Sequence, residues 1–273
     1  MAKGTVNHQR VIGKRDPMIY GHFLEHFHRQ IYGGIYEPDS PFADEQGMRK
    51  DVMEALKRIS PAVVRWPGGC YVSAYHWKDG VGPERQPAYD KAWRVEESNR
   101  FGTDEFMNFC DKIGAEPYIC TNAGTGTPEE MSDWVEYCNL PDQGKWARAR
   151  ISNGHPQPYG VKYWSIGNEN YLGGEMGSKT LAEWGPFVRE SAKMMHRVDP
   201  TIQLLAASTD DLDWNIHLLR EAGPYLNWIS IHDYWDPCWQ ENNISSYEDC
   251  MAMSLHAGDK IEKIRHILGS LGY

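Results

Sequence analysis

The sequence predicts an α/β fold, a (β/α)8 TIM barrel of which this chain carries about six strand-helix units. Three observations predict it. Short apolar runs alternate with longer amphipathic segments, as expected of a parallel sheet joined by crossover helices. Polar residues gather at the C-terminal end of these runs: Glu25, Arg65, Asn122, the pair Asn168 and Glu169, then His232 and Tyr234. In a barrel all strand C-termini open on one face, where reacting groups collect. Finally, no G-x-G-x-x-G or G-x-x-x-x-G-K-[ST] turn follows an early strand, so the phosphate-binding mark of an open doubly wound sheet is missing.

Taken in order, "MIYGHFL" (18–24) reads as the first strand. "MRKDVMEALKRI" (48–59) follows as a helix with Met48, Val52, Leu56 and Ile59 on one face. "AVVRW" (62–66) is the second strand, and a helix around 106–113 stops at Gly114. "PYICTN" (117–122) and "VKYWSIGN" (161–168) are the third and fourth strands. The helix in "TLAEWGPFVRESAKMM" aligns Leu181, Trp184, Val188, Ala192 and Met195 and ends before Pro200. "IQLLAAS" (202–208) is the fifth strand, "HLLREA" a helix ended by Gly223, and "WISIHDY" (228–234) the sixth strand, placing His232 and Tyr234 on one inward face. Ile261, Ile264, Leu268 and Leu271 form the stripe of the last helix. A barrel closes with eight strands, so six imply a piece of a longer barrel or closure by something else. Residues 1–14 read as a remnant strand of a companion β-domain, and 15–273 as the partial barrel.

Composition narrows the partners. The chain has 273 residues, 41% hydrophobic and 24% charged, enough for one large core. A formal charge of -10 argues against nucleic acid and anionic membranes, which are bound by clustered Lys and Arg. Eleven Trp and 15 Tyr lean toward flat, polar-rimmed ligands such as sugars. Six cysteines, at 70, 110, 120, 138, 238 and 250, form no C-x-x-C pair and read as reduced thiols. With no apolar leader or membrane-length run, the expectation is a cytoplasmic protein.

The chemistry centres on "WSIGNEN" (164–170), an apolar run that ends on an amide and a carboxyl. Cleaving a glycosidic bond takes two carboxyl groups, and Glu169 suits the proton donor, with Asn168 beside it for a sugar hydroxyl. The competing reading makes Asn168 a helix cap and Glu169 a dipole partner. Glu25 either accepts sugar hydroxyls or pairs with Arg29. Arg65 either holds a catalytic carboxylate ionised or serves a buried structural pair, and Gly68 and Gly69 after it let backbone approach a ligand closely. Cys70 reads more as a small buried hydrophobe than as a nucleophile. His22, His26 and His28 raise a metal reading, but their spacing matches no ligand motif, so none is expected.

"YGHFLEHFHRQIYGGIYEP", "VVRWPGGCYVSAYHWKDGVGP", "KAWRVEESNRFGTDEF", "YWSIGNEN" and "ISIHDYW" together resemble glycoside hydrolase family 51, the α-L-arabinofuranosidases, over nearly the whole chain. The resemblance implies a (β/α)8 barrel with a β-sandwich domain, no cofactor, and release of terminal arabinofuranose from arabinan or arabinoxylan by double displacement. It makes Glu169 the acid/base and Asn168 its hydroxyl-binding neighbour. It gives Glu25 to furanose hydroxyls and Arg65 to steadying the nucleophile. Cys70, Trp93, His232 and Tyr234 then line the sugar site. The family's nucleophilic Glu belongs to a D-E-W-N-like segment after a further strand, which this chain does not reach, so it is expected to be inactive alone. Two departures bear on substrate: the usual N-E-M is Asn168, Glu169, Asn170, and Cys70 stands where many members carry Asn. Relatives acting on β-1,4-glucan or xylosides, and a non-catalytic sugar-binding barrel, are the alternatives. A homo-oligomer, a hexamer, is implied by the family alone.

Overall fold

A computed structural model describes residues 3–234 and 246–273. Its centre is a six-stranded, all-parallel sheet curled into a half-barrel: β1 (His22–Phe23), β2 (Val63–Trp66), β5 (Glu116–Thr121), β6 (Tyr163–Ile166), β7 (Gln203–Ser208) and β8 (Trp228–Ile231), adjacent in that order. A hairpin, β3 (Ala88–Asp90) and β4 (Val95–Glu97), stands apart in the β2-to-β5 connection. Register pairs Phe23 with Arg65, Arg65 with Tyr118, Thr121 with Ile166, Ile166 with Ala206, and Ser208 with Ile231. All strand C-termini therefore lie along one rim.

Helices α1 (Lys50–Ile59), α2 (Thr103–Ile113), α3 (Pro128–Asn139), α4 (Gly144–Ser152), α5 (Leu181–Val198), α6 (Leu212–Ala222), α7 (Tyr247–Met253) and α8 (His256–Ser270) complete the fold. Local chemistry sets their ends. Gly114 takes the left-handed conformation, φ 72°, that closes α2. Thr127 caps α3 by accepting from the Glu130 N–H at 3.1 Å, with Pro128 at the first helical position. Thr180 and Glu183 form a reciprocal box at the start of α5. Between sheet and helices lies the core. Val64, Trp66, Ile119, Trp164, Ile166, Leu204 and Ala206 point outward from the sheet into Phe106, Trp134, Trp184, Val188, Ala192 and Leu218.

Several elements differ from the sequence reading. The first run is a strand only at His22–Phe23; Asp16 caps a 3-10 turn at Pro17–Tyr20 by accepting from the Met18 N–H at 2.9 Å, and that turn takes the preceding residues out of the sheet. In α1, Met48 is buried ahead of the helix, Val52, Met53 and Leu56 face inward, and Ile59 is 57% exposed. In α8 the buried pair is Ile264 and Ile267, while Ile261 is exposed. The sixth strand ends at Ile231, so His232 and Tyr234 lie on the loop after it. The hairpin, α3 and α4 are additions to the elements expected from the sequence. Residues 3–14 are exposed and carry no assigned strand, and Cys238 lies outside the described residues. Among the described residues no helix is long and apolar enough to cross a membrane.

Candidate active site

β6 leads into the turn that carries the central pair. Gly167 sits at φ 75°, and a Cβ there would meet Asn170 Oδ1 at 2.0 Å, so the turn needs glycine. Glu169 itself has φ 49°, a left-handed conformation that costs a residue with a Cβ about 1 kcal/mol or more. Strain of this kind persists where the surroundings fix it. Glu169 is 7% exposed, and its Oε1 lies 2.8 Å from His232 Nδ1 across the mouth. The next helix begins only at Leu181, so Asn168 and Glu169 cap nothing and the capping alternative falls.

Arg65 joins the second strand to the fourth. Its Nη2 donates to Asn168 Oδ1 at 2.7 Å and approaches Cys120 Sγ at 3.6 Å, and its guanidinium lies 4.8 Å from the centroid of the Phe23 ring. Two buried donors here have no acceptor among the described residues: Arg65 Nε and Asn168 Nδ2. Such orphans are rare in a folded interior and mark a place where a further polar group belongs.

Glu25, beyond β1, is 6% exposed and aims at the same rim. Its Oε1 accepts the Gly69 and Tyr71 N–H groups at 3.0 and 3.2 Å, and it makes no pair with Arg29, which donates to the Gly33 carbonyl. Gly68 is held by this contact, because a Cβ there would stand 2.8 Å from Glu25 Oε1. Trp93, in the β3–β4 turn, places its indole Nε1 beside the Glu25 carboxylate but outside hydrogen-bond geometry. Burial raises the Glu25 carboxyl above its ordinary value; the Tyr71 and Gly69 N–H groups, Trp93 and the Arg65 charge offset only part of that. Any stability Glu25 contributes is thus full below the ordinary value of 4.5 and is lost as pH rises through its folded value. Glu25→Gln keeps an oxygen for both N–H donors and cannot ionise. We expect it to melt above wild type at neutral pH and level with it in acid; calorimetry from pH ~3 to ~8 checks the crossover.

The remaining predicted residues separate into contact and rim. Cys70 is half-buried; its thiol, Glu169 and a residue the sequence reading missed, Glu175, bring their side-chain donor atoms within 4.8 Å of one another. Burial, and then Glu175 beside it, push the Cys70 thiol far up, which suits a neutral contact and not a nucleophile. Glu175 accepts from Ser73 Oγ at 3.0 Å, tying the loop after Glu169 to the turn after Arg65. Tyr234 corrects the inward-facing expectation: it is 70% exposed, on the rim, its phenol raised chiefly by the charge of Glu169. Past the last ladder pair, strand alternation no longer governs it. The three histidines are apart: His22 and His28 are exposed, and buried His26 uses both ring nitrogens, Nδ1 with Glu97 Oε2 at 2.9 Å and Nε2 with Trp66 Nε1 at 3.1 Å. Glu175 and Glu97 lie in a turn-rich loop and a short hairpin, and nothing in the local pattern sets them apart from surface acids.

The Alpha-L-arabinofuranosidase 1 domain model matches residues 55–252. The chain belongs to the α-L-arabinofuranosidases of glycoside hydrolase family 51. It is 40% identical to the intracellular exo-alpha-(1->5)-L-arabinofuranosidase 1 of Bacillus subtilis, over 90% of this chain and 50% of that protein. The corresponding Halalkalibacterium halodurans enzyme is 38% identical over 96% of this chain and 52% of its own. Among solved structures, the Thermotoga maritima α-L-arabinofuranosidase in complex with arabinose superposes with a TM-score of 0.87 at 45% identity, covering 92% of this chain and 51% of that one. The family 51 enzyme of Thermotoga petrophila gives 0.77 at 52% identity over 78% and 45%. The chain thus spans about half the length of the family members it matches.

Proposed function

We propose that this chain forms the acid/base half of a retaining glycoside hydrolase that releases terminal α-L-arabinofuranosyl residues from arabinan or arabinoxylan. Glu169 carries the reading: a buried carboxyl on a strained turn at a strand's C-terminal end, held by His232 and sharing its mouth with Glu25 and Cys70. In the first step Glu169 gives its proton to the glycosidic oxygen while a second carboxylate, about 5–5.5 Å away in retaining enzymes, attacks the anomeric carbon. In the second step Glu169 takes a proton from water, which releases the sugar. Arg65 Nε and Asn168 Nδ2, donors without acceptors among the described residues, are suited to that incoming carboxylate and to the hydroxyl beside the reacting carbon. Glu25 and Trp93 receive the other furanose hydroxyls and a ring face, with Cys70 and Tyr234 at the edges. No step calls for a cofactor.

The reading requires a nucleophilic carboxylate opposite Glu169, which the family likeness assigns to a segment outside these 273 residues. Extended to the length of its relatives, the chain is expected to hydrolyse an aryl α-L-arabinofuranoside with retained configuration, read by proton NMR of the first product, and the 273-residue chain to turn over none. Preference of the extended chain for an aryl β-xyloside or β-1,4-glucan would overturn the substrate assignment. Binding of arabinose oligosaccharides by the extended chain without turnover would favour the non-catalytic reading. Action in the cytoplasm and assembly into a hexamer belong to the same proposal; sedimentation velocity tests the second.

A further inference from the structure

We propose that Glu97 is a positioning residue that, through His26, locks Glu25 and Trp93 into one arrangement; the proposal rests on the furanose-binding reading above. Glu97 closes β4, at the foot of the hairpin whose turn carries Trp93, and is 6% exposed. Its Oε2 lies 2.9 Å from His26 Nδ1, while its Oε1 accepts the Asn99 N–H at 2.7 Å and the Tyr32 hydroxyl. The indole Nε1–H of Trp66 can only donate, so His26 Nε2 is the acceptor and the ring proton sits on Nδ1, aimed at Glu97.

His26 is the residue after Glu25, and its ring stacks on Tyr71 with centroids 4.4 Å apart and planes 15° from parallel. Tyr71 supplies one of the two backbone donors to Glu25 Oε1. The His26 N–H itself donates to the Pro67 carbonyl at 3.1 Å, next to the glycines that pack against Glu25. One ring therefore fixes both the peptide that carries Glu25 and the turn that holds its carboxylate. On the other side, β3 and β4 pair Ala88 with Glu97 and Asp90 with Val95, so the turn at Trp93 moves with Glu97. Trp93 packs on Phe27, the residue after His26, at 4.2 Å between centroids. Burial works to raise the Glu97 carboxyl, but the bonds from His26, Tyr32 and Asn99 outweigh it and hold it below the ordinary range, a charged acceptor at neutral pH. Surface hairpins are free to shift against a sheet; this one is tied to it by a satisfied buried network, where loss of one acceptor leaves several donors without partners.

The test labels the 273-residue chain with 5-fluorotryptophan, assigns the Trp93 fluorine resonance with Trp93→Phe, and follows it alongside arabinose binding by calorimetry. Glu97→Leu is expected to displace the Trp93 resonance and to weaken binding roughly tenfold or more, the scale of one charge-assisted hydrogen bond. Glu97→Gln keeps one acceptor oxygen for His26 and should displace the resonance less and cost under about threefold. A folded Glu97→Leu chain with an unmoved Trp93 resonance and wild-type affinity overturns the proposal. If Glu97→Leu does not fold, Glu97→Gln decides: a displaced resonance supports the coupling and an unmoved one overturns it. Should neither the 273-residue chain nor its extended form bind arabinose, the furanose reading fails, while the fluorine shift still decides whether Glu97 couples the hairpin to the strand.

Discussion

Replacing Glu169 by Ala in the chain extended to its relatives' length is expected to lower kcat/KM on arabino-oligosaccharides by about 10²–10⁴, the range general acid catalysis supplies. On an aryl arabinofuranoside with a nitrophenolate leaving group the first step needs no proton, and the loss should be far smaller there. The contrast follows from the proposed roles, in which Glu169 acts on the leaving oxygen and not on the furanose, whose hydroxyls are given to Glu25. Its setting makes the substitution otherwise mild. The side chain ends at His232, which is partly exposed and can turn to water, and its left-handed backbone suits Ala no worse than Glu. Parallel assays on the two substrate types check it. Equal losses on both would show that Glu169 binds or orients the sugar, and the acid/base assignment would have to move.

The parts of this site legible in the sequence share one property: each is the polar end of an apolar run. Arg65 lies near the end of, and Asn168 and Glu169 follow, segments whose outward-facing residues, Val64, Trp66, Trp164 and Ile166, are 2% exposed or less. The hydrophobic pattern fixes both strand and direction, and with parallel strands direction decides which residues meet. Glu25 was legible for the same reason although its strand is only two residues long, because the C-terminal end of the run, not its length, places the carboxyl. Where burial depends on a distant partner the pattern says nothing. Glu97 is buried because His26, 71 positions away, receives it, and Glu175 joins Cys70 through a loop docked on Ser73. At Tyr234 the pattern misleads in the opposite way, because alternation holds only as far as Ile231, the last residue that pairs with a neighbour.

Arg150 shows the same limit at its largest, and replacing it by Met should destabilise the chain by about 3–5 kcal/mol. Arg148 and Arg150 stand two apart in "KWARARIS", alike in local sequence. Arg148 is exposed, whereas Arg150 is 0% exposed in the crossover between β5 and β6. Its guanidinium donates to the carbonyls of Tyr137 and Leu140 at 2.7 Å, Pro141 at 2.6 Å, His155 at 3.0 Å and Pro156 at 3.4 Å. These carbonyls come from the end of α3 and from the loops on either side of α4, so a single fork of donors satisfies backbone groups that helix geometry leaves without partners. Met fills much of the volume but donates nothing, and each carbonyl left buried and unpaired costs about 1–3 kcal/mol, less wherever water enters. The expected fall in Tm is on the order of 10 °C. Arg148→Met, changing net charge equally, should stay within about 0.5 kcal/mol. Paired thermal melts separate the outcomes: similar shifts would mean that charge, and not backbone satisfaction, underlies the effect. With Arg150 in place, α3 and α4 form a fixed span that delivers β6, and with it Asn168 and Glu169, to the rim that also carries Glu25.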